Sequence, residues 1–332
     1  VSEISDLEKF LIGTSNHNSF GSYHPSFHLF RLEFSCNLSE LNFIIYLCIR
    51  NIEKTYSNIQ HLAFNNDSPN TGNNKIQPQA TIVFMIMEQI FNKEQQEKAQ
   101  FILNHPLARL SDLRSNEIKD LAVVWCYYSG KIEGNTYTYV ETEALLKDDI
   151  TSEKKYEDAK MLKNLYNTFI SELEYINKGK NQEVIDERTL FRVHQAISTG
   201  LVSDEESGYL RTRGVRISGT AYIPPKNLHD IRAKLNEILY QQEQYTNPLE
   251  RAVYLHCNIA KLQPFIDGNK RTSRMVESIA LMNADIIPVY SSKDADILNY
   301  RKGLIAFYET GDYSFYAGYF LDKQVERIKE IE

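Results

Sequence analysis

Gln263-Pro264-Phe265-Ile266-Asp267-Gly268-Asn269-Lys270-Arg271 is the stretch whose reading decides the fold. Residues 248–262 before it and 269–284 after it carry helical patterns, so the stretch reads as a short loop between two helices. Asp267, Gly268 and Asn269 fall where the free N–H groups of the second helix point. Such a terminus favours an anion through its unpaired donors and its dipole, and Gly268 permits close backbone approach. Lys270, Arg271 and Arg274 add positive charge, and the two arginines, three residues apart, share one helix face. Asp267 offers oxygen to a divalent cation. Together these residues describe a polyphosphate pocket. A plain Gly-Asn helix cap with surface arginines accounts for them equally well.

Outward from the loop the pattern stays helical. Helices are predicted over residues 81–104, 115–130, 152–177, 187–200, 226–243, 294–309 and 313–330. Ser115 or Asn116 is the expected cap of the second, whose end is loosened by Gly130 and Gly134. In the third, Leu162, Leu165, Phe169, Leu173 and Ile176 form one apolar stripe and are predicted core. The fold class is therefore mostly α, a helical bundle with one interruption. In the interruption, GVRISGTAYIPP over residues 214–225, Val215 and Ile217 alternate with Arg216 and the turn Ser218-Gly219. After Thr220, Ala221-Tyr222-Ile223 resumes an extended run before two prolines, which reads as a β-hairpin. An isolated hairpin on a helical scaffold is more plausibly a functional flap than a core element.

Residues 64–79, FNNDSPNTGNNKIQPQ, read as a linker because so polar a composition cannot form a packed face. Residues 1–79 are thus expected to be a separate N-terminal segment of unassigned role, with the main domain over 80–332. The longest apolar run, residues 41–49, is far shorter than the ~20 residues of a membrane helix, so no membrane partner is expected. A net charge of −7 argues against a chain-wide nucleic-acid surface. Cys36, Cys48, Cys126 and Cys257 show neither metal-type spacing nor a dense disulfide pattern, which suits a reducing compartment. With no signal-peptide pattern at the N-terminus, the expected location is cytoplasmic. Homo-oligomerisation is left open.

The loop resembles the signature of the Fic (Fic/Doc) family, His-Pro-Phe-x-Asp/Glu-Gly-Asn-Gly-Arg-x-x-Arg. Pro264, Phe265, Asp267, Gly268, Asn269, Arg271 and Arg274 match it. The resemblance extends over about residues 115–325, including the hairpin, similar to the family's target-docking flap, and the C-terminal FYETGDYSFYAGYFLD. It implies a protein adenylyltransferase that moves AMP from ATP to a Ser, Thr or Tyr hydroxyl of a target protein held at the flap. The roles it implies are Mg²⁺ binding for Asp267, the anion hole for Gly268 and Asn269, and phosphate contacts for Arg271 and Arg274.

Two positions depart from the signature. Gln263 stands where the family has its general-base His, and an amide has no lone pair basic enough to take a hydroxyl proton. His256, two turns upstream, is too far along the helix to substitute and reads as a packing residue. Lys270 replaces a Gly, and in the Doc branch a Lys here accompanies phosphate rather than AMP transfer. Ser129-Gly130-Lys131-Ile132-Glu133-Gly134-Asn135 resembles the family's inhibitory pattern, on a helix at about 115–135. The resemblance implies that Glu133 pairs with Arg274 and so displaces the γ-phosphate. A solvated Glu before a Gly stop is the plainer reading of that string. In some relatives the same Glu assists AMP removal, which leaves a reverse reaction open. Three functions follow: an autoinhibited adenylyltransferase weakened or inactivated at Gln263, a nucleotide-binding pseudoenzyme or scaffold, and a Doc-like phosphotransferase.

Overall fold

The helix that follows the signature loop is buried on almost every face although more than half of its residues are polar. In the computed structural model, which describes residues 89–180, 184–291 and 293–332, this helix runs Asn269–Asn283 and is named α8 below. Ten α-helices are present among the described residues: α1 (Lys93–Asn104), α2 (Ser115–Ile132), α3 (Tyr139–Asp148), α4 (Tyr156–Tyr175), α5 (Glu187–Ser198), α6 (Leu228–Gln241), α7 (Pro248–Leu262), α8, α9 (Asp294–Thr310) and α10 (Ser314–Ile331). No β-sheet occurs among these residues, only two isolated bridges, Arg109 with Ile286 and Thr199 with Val202.

α7 and α8 form the central pair, and α8 also packs on α5 and α4. α2 lies against α4 and α3, and α10 packs between α9 and α1. The stripe Leu162, Leu165, Phe169 and Leu173 is buried as expected, with Ile176 packed at its margin. Each such side chain contributes about 1.5–3 kcal/mol on leaving water. Because α8 is surrounded, its polar side chains must find partners inside. Ser278 Oγ accepts from Trp125 Nε1 of α2 at 2.9 Å. Glu277 accepts from the hydroxyls of Tyr290 and Tyr316, both at 2.6 Å. Gly130 stays helical, and a β-carbon there would meet Leu162 at 3.0 Å, so it sets the close approach of α2 to α4.

Four expectations change. The first helix begins at Lys93, where Asn92 and Gln95 close a reciprocal capping box, and residues 89–92 precede it; residues 81–88 lie outside the described residues. Ser115 is the first helical residue of α2 rather than its cap; the N–H of Arg114 donates to Glu117 at 2.8 Å. α3 was not predicted, although Thr138 and Glu141 spell a capping box at its start. Finally, residues 214–225 do not form a β-hairpin.

The turn at Ser218-Gly219 is present, but the two arms around it share no ladder. Pro224 and Pro225 have no N–H to give. The Tyr222 N–H goes to Thr220 Oγ1 at 3.1 Å, and Arg211 occupies the carbonyls of Arg213 and Pro225 at 2.9 and 2.7 Å. What remains is an extended loop held by side chains. The expected N-terminal segment, its linker, Cys36 and Cys48 lie outside the described residues.

Candidate functional site

α7 ends on Gln263, which takes the left-handed conformation at φ 51° and ψ 60°. Its backbone N–H donates to Ile259 O at 3.1 Å, and its side-chain Nε2 donates to Ala260 O at 2.6 Å. The amide thus caps its own helix and is only 8% exposed. A left-handed non-glycine residue is costly by ~1 kcal/mol or more, and such residues concentrate at functional sites.

Two interior contacts hold the loop beyond it. Asn269 brackets Phe265, accepting from its N–H and donating to its carbonyl, each at 2.8 Å. Phe265 is fully buried, with the His194 ring stacked on it at 3.7 Å and 6°. The N–H of Gly208 donates to His194 Nδ1 at 2.9 Å, so the imidazole proton sits on Nε2 and is donated to Asp267 O at 3.0 Å. Burial, with the Arg271 charge adding to it, pushes the His194 pKa down to about 4 despite the Asp267 carbonyl. Both ring nitrogens are therefore committed, and His194 is a neutral clamp. By holding the Asp267 carbonyl inward it leaves the carboxylate outside, with its side chain 68% exposed.

Gly268, at φ 74°, precedes α8; a β-carbon on it would come within 3.4 Å of Arg271 Nη2 and 3.6 Å of His194 Nε2. Arg271 is buried, its Nη2 bonded to Asp267 Oδ2 at 2.9 Å, while its Nη1 has no acceptor. A buried, cationic N–H without a partner is costly by ~1–3 kcal/mol or more. An anion at the start of α8 would satisfy it.

Arg274, one turn on, is saturated. Its Nε donates to Ser129 Oγ at 2.8 Å, its Nη1 to Tyr300 Oη at 3.1 Å, and its Nη2 to Ser129 O at 3.1 Å and Glu133 Oε1 at 2.8 Å. Lys270 Nζ stands 3.3 Å from the other carboxylate oxygen of Glu133. Burial alone would raise the Glu133 pKa, but Arg274, Lys270 and Arg271 outweigh it and hold the carboxyl at about 2. Burial also opposes the Arg274 charge; Tyr300 and Glu133 overcome that and raise its pKa. Behind the guanidinium, Tyr300 Oη meets His256 Nε2 at 3.0 Å. His256 is fully buried and stacked on Tyr316, the packing role expected for it; its Nδ1 lies 3.0 Å from Glu277 Oε2 but outside hydrogen-bonding geometry.

Two anchors fix the end of α2. Arg301 Nη2 donates to Ile132 O at 2.6 Å, and Asn135 Nδ2 donates to Asp158 O at 2.8 Å. Gly134, at φ 86°, then turns the chain away.

The flap reaches the loop through Arg211. Its backbone N–H donates to Pro264 O at 3.0 Å and its Nε to Gln263 O at 2.6 Å. With the bonds to Arg213 O and Pro225 O, one buried guanidinium ties both roots of the flap to the residue that closes α7. Ile217 and Tyr222 pack against the core, Tyr222 stacks on Tyr308 at 6.4 Å, and Thr220 Oγ1 donates to Glu309 at 3.1 Å. Val215 is half-buried, whereas Arg216, Ser218, Gly219 and Ala221 are exposed.

The expected loop residues and the Ser129–Glu133 segment therefore meet at the start of α8, and the flap is tied to the other side of the loop. His194 and Arg211 were missed. Each is remote in sequence and does its work through backbone carbonyls, which no spacing announces. As for a metal, no cluster of three His, Cys, Asp or Glu ligands occurs among the described residues. Asp267 is a single exposed carboxylate, which fits a Mg²⁺ that shares its remaining ligands with phosphates and water.

Residues 184–281 match the Fic/DOC family model. A 172-residue stretch, 50% of the chain, is 28% identical to the protein adenylyltransferase Fic of Drosophila persimilis, and covers 32% of that protein. The Drosophila melanogaster protein of the same name matches at the same identity, with 34% of it covered. The chain thus spans about a third of the length of the curated relatives it matches. Among solved structures, a Fic family protein from Desulfovibrio desulfuricans superposes with a TM-score of 0.60 at 18% identity, over 75% of each chain. Fic-1 from C. elegans superposes with a TM-score of 0.56 at 19% identity, over 72% of this chain and 69% of that one. At these identities the superpositions speak for the fold alone.

Proposed function

We propose, from the premise that the chain belongs to the Fic family, that it is an ATP-binding protein adenylyltransferase held inactive by Glu133 and weakened at Gln263. The observation that carries this reading is the pairing of Glu133 with Arg274 and Lys270 beside the unpartnered Nη1 of Arg271. Arginines so placed are suited to phosphate oxygens, and a carboxylate on one of them competes for the same donors.

With Glu133 withdrawn, the free N–H groups at the start of α8, Arg271, Lys270 and Arg274 would receive the triphosphate. Asp267 would hold Mg²⁺, which supplies charge neutralisation on the phosphates when bound. A target hydroxyl presented by the flap would attack the α-phosphorus; the new P–O bond forms as the bond to the β-phosphate breaks, and pyrophosphate leaves. The hydroxyl proton needs an acceptor, and Gln263 provides none. His194 cannot replace it, because both its nitrogens are engaged and its pKa is down at about 4. The proton must pass to solvent or phosphate instead, so transfer is slow.

One feature favours a second reading, a nucleotide- or partner-binding scaffold. The Gln263 amide is turned back onto Ala260 rather than toward the flap, so binding could persist without chemistry. The flap backbone over residues 214–218 makes no hydrogen bond among the described residues, leaving an edge to which an extended peptide can add.

Calorimetry with ATP·Mg²⁺ on the wild type and Glu133→Gly tests the premise of both. The variant is expected to bind and the wild type to bind weakly; no binding by either would reject the nucleotide site. Gln263→His, assayed with α- and γ-labelled ATP, separates the chemistry. Incorporation of α-label supports AMP transfer, and incorporation of γ-label alone would replace it with phosphate transfer.

A further inference from the structure

We propose that the flap selects an acidic, hydroxyl-bearing segment of its target protein, an inference that rests on reading the chain as a protein-modifying Fic enzyme. Charge is the first ground. Residues 207–229 contain no Asp or Glu, yet carry Arg211, Arg213, Arg216 and Lys226, in a chain of net charge −7. Arg213 is spent on Glu206 at 2.6 Å. Arg211 is buried and donates only to carbonyls, so no carboxylate among the described residues neutralises it. Arg216 and Lys226 are exposed and form no ion pair among the described residues.

Geometry is the second. The two arms enclose a groove of about 260 Å³, lined by Gly214, Val215 and Arg216 on one arm and Ile223 and Lys226 on the other. The groove therefore has a cation on each wall and an apolar residue beside each. Ile223 is 54% exposed, an open aliphatic surface. Because the backbone at 214–218 makes no hydrogen bond among the described residues, an extended polypeptide can lie along it while its carboxylates meet Arg216 and Lys226. The positive field ends at the tip, where Thr220 holds Glu309.

A nucleic acid would bring the same charge but needs an aromatic face on which to stack bases. Tyr222, the aromatic within residues 214–225, is turned onto Tyr308 and covered by Lys261 Nζ at 5.1 Å from its ring, and the exposed Tyr209 does not line the groove. An acidic protein segment is the better fit.

The test uses the full chain carrying Glu133→Gly and two fluorescein-labelled peptides of equal length, each with a central Ser. One has Glu and Asp flanks and the other Lys flanks; binding is read by fluorescence anisotropy. The acidic peptide is expected to bind at least ~10-fold tighter at low salt, with the preference shrinking as salt rises. Arg216→Glu with Lys226→Glu should reverse the preference, and the neutral pair Arg216→Ala with Lys226→Ala should erase it. Both pairs should leave the melting temperature and the calorimetric ATP affinity unchanged. Equal binding of the two peptides, a preference that survives the double reversal, or an oligo-dT that displaces the acidic peptide would overturn the proposal. ATP binding without a charge preference would defeat this inference and spare the proposed function. A charge preference in a protein that binds no ATP would do the reverse.

Discussion

The junction of α2 with α8 and the flap flank one loop and are built on opposite terms. At the junction every nitrogen of Arg274 has a partner, and Ser129, Glu133 and Tyr300 converge on it with no water needed. At the flap, the backbone of 214–218 has no hydrogen-bond partner, and its cations Arg216 and Lys226 no ion pair, among the described residues. A region whose polar groups satisfy one another has nothing left for a ligand until something is removed. A region left unsatisfied waits for something to be added. The loop between them carries both conditions, with Arg274 closed and Arg271 Nη1 open.

The largest test of that contrast opens the closed side and restores the missing base. In Glu133→Gly with Gln263→His, AMP incorporation should rise ~10²–10⁴-fold over Glu133→Gly alone, the usual contribution of a positioned general base. A revertant as inert as its parent would place a second lesion elsewhere in the loop.

Next comes the saturated arginine itself. Arg274→Ala removes a fully buried cation and strands Ser129 and Tyr300, and should cost about 3–5 kcal/mol of stability. For a domain of this size that is about 10 °C in melting temperature. A flap charge such as Arg216, replaced by Ala, should stay within about 0.5 kcal/mol. Similar losses at both sites would erase the contrast.

His194 comes third. Its folded pKa of about 4 lies below the ordinary 6.5, so its stabilisation is complete above pH 6.5 and is lost as pH falls toward 4. The loss amounts to about 3 kcal/mol across that window. His194→Phe keeps a ring on Phe265 but cannot charge, so its melting temperature should lose most of this slope; an unchanged slope would assign the titration to another group.

The smallest effect is an expected flatness. With Glu133 at about 2 against an ordinary 4.5, its ion pairs are intact above pH 4.5 and fail only as pH drops toward 2. ATP affinity of the wild type should therefore show no Glu133-dependent gain between pH 7.5 and pH 5. A gain there that Glu133→Gln abolishes would mean the pairing is far weaker than its geometry.

What the sequence made legible was local. The Pro248–Leu262 helix follows from side-chain periodicity and from the Asn247 cap, and the Asn269–Asn283 helix from the Gly268-Asn269 start. The meeting of Glu133 with Arg274 was an expectation of family resemblance, since 141 residues separate them and no spacing rule spans that distance. His194 and Arg211 escaped because their partners are carbonyls of a loop more than 50 residues away. The flap misled for a related reason. Alternation and a Ser-Gly turn are local signs of a hairpin, but the loss of its ladder follows from two prolines and from Arg211, which competes for the carbonyls.

Trp125 gives the α2–α8 junction a voice of its own. It is the chain's single tryptophan, fully buried, edge-on to Tyr290 at 5.9 Å and donating to Ser278 of α8. Anything that lifts α2 from α8 hydrates that indole, so a red shift of intrinsic emission, excited at wavelengths tyrosine does not absorb, would follow the unlatching in real time without a label.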